Sequence, residues 1–246
     1  MSRSMWSHPP PSLSLLSGEV DVWRLRLEQP PEAQQRFLRT LDEEERARAG
    51  RFHFEQHRRQ FVVGRGALRT LLARYLETKP EAVRFSYGPY GKPMLDGEHR
   101  NSSLRFNASH SGQLALYAFV QEYEVGIDVE NINRDFASEE IAQRFFSAYE
   151  VRMLSALPAT ERAAAFFRCW TRKEAYIKAI GSGLSHPLDT FDVTLAPNEP
   201  AALLRVERDP ESVRRWSLFD LDVGYGYAAA LAVDGPVSSL RQWTMD

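Results

Sequence analysis

Gly126-Ile127-Asp128-Val129-Glu130 and, about 40 residues on, Trp170-Thr171-Arg172-Lys173-Glu174-Ala175-Tyr176-Ile177-Lys178-Ala179-Ile180-Gly181-Ser182-Gly183 are the two stretches on which the reading of this chain turns. The first has the make-up of a strand. Side chains alternate faces along a strand, so Asp128 and Glu130 point one way and Ile127 and Val129 the other. Two carboxylates on one strand face suit a hard cation such as Mg²⁺, which takes one or two carboxylates and leaves positions for water and phosphate oxygens. The same pair also reads as a solvated strand face. The second stretch is helical, and residues four apart share a helix face. Trp170, Glu174 and Lys178 therefore form one stripe. A surface ion pair would account for Glu174 and Lys178, but a tryptophan on the same stripe argues for a partly buried polar site. There the carboxylate can complete a metal site while the lysine reaches a phosphate.

Working outward, Val20 to Leu27 alternates as a half-buried strand. Asp42 to Gln60 reads as a charged helix carrying Arg46, Arg48 and Arg51, and Phe61 to Leu76 as a separate amphipathic helix. Val83 to Tyr87 is a short strand, and Gly88-Pro89-Tyr90-Gly91-Lys92-Pro93 a turn. Leu104 to Asn107, Leu114 to Val120 and Val125 to Val129 read as strands. Ser138 to Phe146 is a helix, a second begins near Ser147, and a long one over Ala163 to Ile180 is stopped by Gly181 and Gly183. Phe191 to Leu195, Arg215 to Leu221 and Tyr225 to Val233 close the chain as strands. Helix, strand and hairpin follow one another twice, which suggests two similar α/β halves meeting near residue 122.

The 246 residues carry a net charge of −2, so no strong overall field favours nucleic acid or membrane surfaces. Charge is instead divided: Arg46 to Arg74 is rich in arginine and histidine, and Asp128, Glu130, Glu139 and Glu140 mark an acidic region. Cys169 is the one cysteine, so no internal disulfide forms, and a reducing, cytoplasmic setting is expected. Its apolar neighbours Phe166, Phe167 and Trp170 read it as a buried core residue. No segment approaches the ~20 apolar residues of a membrane span. Residues 1–18, rich in Ser and Pro, read as a loose extension ahead of halves at 19–122 and 123–246.

The Trp170–Gly183 stretch resembles the W-x-x-K-E-x-x-x-K signature of the Sfp-type phosphopantetheinyl transferases, and Gly126–Glu130 resembles that family's G-[IV]-D-[IV]-E. Further similar stretches are Tyr90-Gly91-Lys92-Pro93, Phe106-Asn107-Ala108-Ser109-His110-Ser111 and Phe145-Phe146-Ser147-x-x-Glu150. The resemblance implies an α+β fold of two similar halves about a pseudo-twofold axis, with coenzyme A in the cleft between them, and a functional monomer. It implies transfer of 4'-phosphopantetheine from coenzyme A to a serine of an apo acyl or peptidyl carrier protein, releasing 3',5'-ADP.

By that resemblance Asp128, Glu130 and Glu174 hold Mg²⁺. Glu150 matches a carboxylate proposed as general base, with Glu174 as the rival; yet Ser147-Ala148-Tyr149-Glu150 is also a capping box, in which the glutamate reaches back to the helix start. Lys173 and Lys178 resemble phosphate-binding lysines, Lys178 at the reacting group. Lys92 resembles a lysine near the nucleotide, Ser109 and His110 a pair on the 3'-phosphate, and Arg48 a basic residue at the adenosine end. Glu45 stands where relatives can carry lysine, with Arg46 as a substitute. Arg65 and Arg69, on the following helix, are weaker candidates for phosphate contact, since arginines on amphipathic helices are usually solvated. Tyr149, Met153 and Leu154 are candidate apolar contacts for the carrier protein. Two other readings share these residues: a Mg²⁺-dependent nucleotide pyrophosphate hydrolase, although no GxxxxGK[ST] loop is present, and a non-catalytic binder of coenzyme A or carrier protein.

Overall fold

The computed structural model describes residues 6–133 and 135–245. The chain runs through β1 (Glu19–Arg26), α1 (Pro31–Thr40), α2 (Glu43–Gly50), α3 (Glu55–Tyr75), β2 (Arg84–Tyr87), β3 (Pro93–Asp96), β4 (Leu104–Ser111) and β5 (Leu114–Gln121). It continues through β6 (Val125–Asn131), α4 (Glu139–Phe145), α5 (Ala148–Ser155), α6 (Ala159–Ile180), β7 (Phe191–Val193), β8 (Leu203–Val206), β9 (Trp216–Asp220), β10 (Tyr227–Asp234) and β11 (Ser239–Thr244). One strand, three helices, a small hairpin and two further strands thus occur twice. The sheets repeat the same neighbour order, β1-β5-β4 in the first and β6-β10-β9 in the second, with β11 added beside β1. The fold is mixed α+β, as the resemblance implies.

Strand alternation builds the layers. On β1 and β5, Val20, Val22, Leu116, Ala118 and Val120 face Val125, Ile127, Val129, Leu231 and Val233 of β6 and β10 in one core between the sheets. The opposite faces meet helices. Trp23, Leu25, Tyr117 and Phe119 pack with Val63, Ala67 and Leu71 of α3, and Ala230 and Ala232 pack with Ala175, Ile177 and Ala179 of α6. Strand β5, buried on both faces, is accordingly a nearly unbroken apolar run.

The close approach of α6 to β6 depends on Gly126. A Cβ there would lie 2.0 Å from the Ala175 carbonyl oxygen and 2.4 Å from the Ala179 nitrogen. Gly181 ends α6 in the left-handed region at φ 69°, as the sequence predicts.

Several boundaries differ from the sequence reading. The helix expected over Asp42 to Gln60 breaks between Arg51 and Phe54, and α3 begins at Glu55, ahead of Phe61. Helix α1 and strands β3, β8 and β11 are additional. Of the segment expected to be loose, residues 1–5 lie outside the described residues. Residues 6–18 are mostly exposed and touch the fold at points: Trp6 is buried, Ser7 bridges to Trp243 in parallel, and Leu13 and Leu15 rest on the first core. Among the described residues no helix is long and apolar enough to cross a membrane.

Because the atoms facing position 126 are backbone, they cannot turn aside. Gly126→Ala is expected to lower stability by about 3 kcal/mol, measured by urea unfolding.

Candidate active site

Strand β6 is an edge strand, and its free edge is covered by side chains of β4. Asn107 Oδ1 accepts from the Ile127 amide at 3.0 Å, and Ser111 Oγ accepts from the Asn131 amide at 3.0 Å. Between them Ser109 Oγ donates to Asp128 Oδ1 at 2.9 Å, and Ser111 Oγ also donates to Glu130 Oε2 at 2.9 Å. Alternate residues of one strand thus satisfy the edge amides and fix the two carboxylates.

Helix α6 brings the other half of the cluster. Lys178 Nζ lies 2.6 Å from Asp128 Oδ1 and 2.9 Å from Ser109 Oγ. Glu174, one turn earlier, is 9% exposed, and its pKa is pushed up to about 7 by burial, by Asp128 and by Glu130, with Lys178 opposing. Burial raises Glu130 as well, with Asp128 adding to it. Burial also raises Asp128, against the pull of Lys178. Two buried oxygens, Asp128 Oδ2 and Glu174 Oε1, have no hydrogen-bond partner. Unpartnered carboxylate oxygens crowded by like charge are what a hard cation relieves, so the donor set fits Mg²⁺. Among the described residues no three metal-binding side chains already stand as a closed cluster; Asp128 is turned onto Lys178 and Glu130 onto Ser111.

Beside this cluster opens a cleft of about 450 Å³ between α2–α3 and β4, lined by Arg48, His57, Phe61, Arg65, Ser109 and His110 among others. Its titratable walls are basic, which suits an anionic ligand. His110 lies exposed at the rim, and desolvation and then Lys178 lower its pKa. Arg48 is exposed and sits over the Phe61 ring at 5.1 Å. Lys92 is not turned into this cleft. Its ammonium lies 2.6 Å from Glu124 Oε2 and donates to the Ala179 carbonyl at 2.8 Å, at the C-terminal end of α6.

Glu150 and Lys173 stand apart from the cluster. Their side chains are fully buried and 2.8 Å apart. Glu150 completes the capping box at Ser147 and accepts from the Val193 amide at 2.8 Å. Lys173 donates to the carbonyls of Leu188 and Phe191 at 2.7 and 2.6 Å. As these side chains stand, Lys173 has no exposed ammonium for a phosphate, and the structural reading of Glu150 is realised. Arg65 and Arg69 also depart from expectation. Arg69 is fully buried and Arg65 nearly so, both on the Glu45 carboxylate. Arg46 is exposed and donates to the Arg39 carbonyl. Of the three expected carrier contacts, Tyr149 is exposed, Met153 is half-buried and Leu154 belongs to the core.

Sequence reasoning passed over His57, Phe61 and the role of Arg65, although their four-residue spacing marks one helix face. Dividing the region into helices at 42–60 and 61–76 cut that stripe.

The 4'-phosphopantetheinyl transferase superfamily matches residues 124–232, and the N-terminal part of 4'-phosphopantetheinyl transferases matches residues 29–122. The chain is 42% identical to the 4'-phosphopantetheinyl transferase HetI of Nostoc, over 96% of each protein. It is 36% identical to a putative 4'-phosphopantetheinyl transferase of Synechocystis, over 72% of this chain and 70% of the relative. With the 4'-phosphopantetheinyl transferase Sfp of Bacillus subtilis it shares 30% identity, over 87% of this chain and 92% of the relative.

The buried ion pair gives a direct test of its structural role. Glu150→Met and Lys173→Met are each expected to destabilise by about 3–5 kcal/mol, by leaving one buried charge unpaired. The double variant should be more stable than either single one, a pattern readable from urea midpoints.

Proposed function

This chain belongs to the 4'-phosphopantetheinyl transferases, and we infer that it moves the phosphopantetheine arm of coenzyme A onto a serine of an apo carrier protein, giving holo carrier protein and 3',5'-ADP. The observation that supports these residues as the site is the Ser109–Asp128–Lys178 cluster, with its two unpartnered carboxylate oxygens, at the edge of a basic cleft.

In this reading the nucleotide lies in the cleft, with Arg48 and His110 at its rim, and the pyrophosphate reaches Lys178. Asp128, Glu130 and Glu174 hold Mg²⁺, which when bound offsets charge on the pyrophosphate oxygens. Lys178 supplies the protein's own positive charge beside the phosphate under attack. Ser109, at 2.9 Å, holds its ammonium beside the cleft. The carrier serine attacks the phosphate next to pantetheine, and 3',5'-ADP leaves. Of the two carboxylates weighed as base, Glu174 is the one at the cluster, whereas Glu150 is committed to Ser147, Lys173 and the Val193 amide. Glu150 and Lys173 act instead as an internal brace that sets α6 against α5 and β7. Lys92 reaches the nucleotide only by leaving Glu124 and the end of α6. The carrier protein meets the exposed Tyr149. We further propose a cytoplasmic monomer, since both sides of the cleft come from one chain.

Intact mass of an apo carrier protein, after incubation with this protein, coenzyme A and Mg²⁺, tests the reading. A gain of one phosphopantetheine that vanishes with EDTA is the expected result. Asp128→Asn should slow the gain about a hundredfold or more. Pyrophosphate cleavage without carrier modification would point to a hydrolase, and no change at all, with folded protein and several carriers, to a binder. Lys178 occupies an oxygen that a cation would use. Lys178→Met is therefore expected to bind Mn²⁺ severalfold more tightly, read by electron paramagnetic resonance of the protein alone, while transfer slows.

A further inference from the structure

Strand β4 ends on Ser111, whose side chain has a different destination from its neighbours. Ala108, Ser109 and His110 line the basic cleft. Ser111 turns to β6, where its hydroxyl spans two successive residues. It donates to Glu130 Oε2 at 2.9 Å and accepts from the Asn131 amide at 3.0 Å. A serine hydroxyl has one proton to give. The amide arrives on a lone pair, so that proton is directed at the carboxylate. This bond opposes a specific force. Glu130 is half-buried and shares its surroundings with Asp128 and Glu174. Repulsion among carboxylates drives the more accessible one out toward water. A glutamate free to swing also charges the loss of its torsional freedom against ligand binding, unless a neighbour has already fixed it.

The place of Ser111 is set by the turn that follows it. Ser111 pairs with Leu114 across Gly112 and Gln113, with Gly112 in the left-handed region at φ 56°. From the first half, Gln60 Nε2 donates to the Gly112 carbonyl at 3.0 Å, and the Leu27 amide to the Gln113 carbonyl at 2.8 Å. From the second half comes Tyr227, paired on β10 with Asn131. Its hydroxyl accepts from the Gln113 amide at 3.4 Å, and a Cβ on Gly112 would meet it at 2.9 Å. The turn is thus clasped between the two halves, one residue away from the serine that holds Glu130.

We propose that Ser111 is a positioning residue for Glu130 as a metal ligand, and that Tyr227 keeps Ser111 in place by seating the Gly112–Gln113 turn against the second half. The proposal rests on the metal reading of Asp128, Glu130 and Glu174 above. Electron paramagnetic resonance of Mn²⁺ with the protein alone tests it, in wild type, Ser111→Ala, Tyr227→Phe, Glu130→Gln and the two combinations with Glu130→Gln. Thermal melts establish folding. Ser103→Ala, just ahead of the opposite end of β4 and bonded to Gln121, serves as control. Ser111→Ala is expected to weaken Mn²⁺ binding about tenfold and Tyr227→Phe about threefold, as loss of a partner behind a metal ligand does. Ser111→Thr, which keeps the hydroxyl, should recover most of the affinity. In Glu130→Gln protein, either substitution should add less than about twofold, because the carboxylate they act through is gone. A role in folding alone would weaken Mn²⁺ equally in both backgrounds. In transfer assays the apparent KM for Mg²⁺ should rise in step, with KM for coenzyme A within about twofold of wild type. Unchanged Mn²⁺ affinity in folded Ser111→Ala protein would overturn the proposal, as would an effect that persists in full without the Glu130 carboxylate. Should Ser111→Ala fail to fold, Tyr227→Phe, which removes only an oxygen, decides by the same comparison. A wild-type protein that binds no Mn²⁺ would overturn the metal reading and this proposal with it. One that binds Mn²⁺ yet transfers nothing would sink the transferase reading alone, so the failures are distinguishable.

Discussion

Everything at the centre of this molecule follows from a helix lying directly on a strand. Position 126 has no side chain, so the backbone of α6 at Ala175 and Ala179 sits where a Cβ would be. Small residues continue the seat on the neighbouring strand, where Ala228, Ala230 and Ala232 pair with Glu130, Asp128 and Gly126. At this depth Glu174 and Lys178 reach the carboxylates of β6, whereas a helix standing a full side chain higher would hold them several ångströms away. The glycine in the motif is thus a packing requirement with a chemical result. It sets the spacing at which one lysine and three carboxylates feel each other.

The second constraint is the edge of β6. An edge strand exposes amides that must find partners. Here the partners are side chains rather than a further strand: Asn107 and Ser111 take two of the edge amides. Polar residues on the inner face of β4 would be costly if buried unpaired, so their presence is explained by what they cover. The same run of residues forms one wall of the basic cleft. The cleft wall and the carboxylates are therefore coupled through single hydrogen bonds from β4.

Local rules made much of this legible. Alternation placed Asp128 and Glu130 on one face, four-residue spacing joined Glu174 to Lys178, and Gly181 marked the end of α6. What escaped was decided at long range. Lysines are seldom buried, and nothing adjacent in sequence announces that Lys173 ends among Glu150 and two carbonyls. The Glu45–Arg65–Arg69 clamp joins residues 20 and 24 apart, across a helix break that propensity did not reveal. Strand β11 has no signal of its own and is defined by the strand it meets. The repeat itself was visible as an order of elements, and the registers add what that order hides. Val20 pairs with Val120 as Val125 pairs with Val233, so Trp23 and Leu25 hold the positions in β1 that Asp128 and Glu130 hold in β6. Where one half carries charge the other carries core, and only one of two related surfaces bears the metal-type side chains.

Strand β11 bears on how the chain is made. It lies parallel to β1, and Arg241 and Trp243 both reach the fully buried Asp21, across 220 and 222 residues of sequence. On a ribosome, β1 and β5 can pair early, but Asp21 is left without these two partners until β11 emerges. A buried carboxylate without its donors is strongly disfavoured. Until then Asp21 keeps, among the described residues, only the Tyr75 hydroxyl, at 2.6 Å, and the N-terminal half lacks two of its three partners for this carboxylate. The edge of β1 waits on a strand that the C-terminal half supplies last.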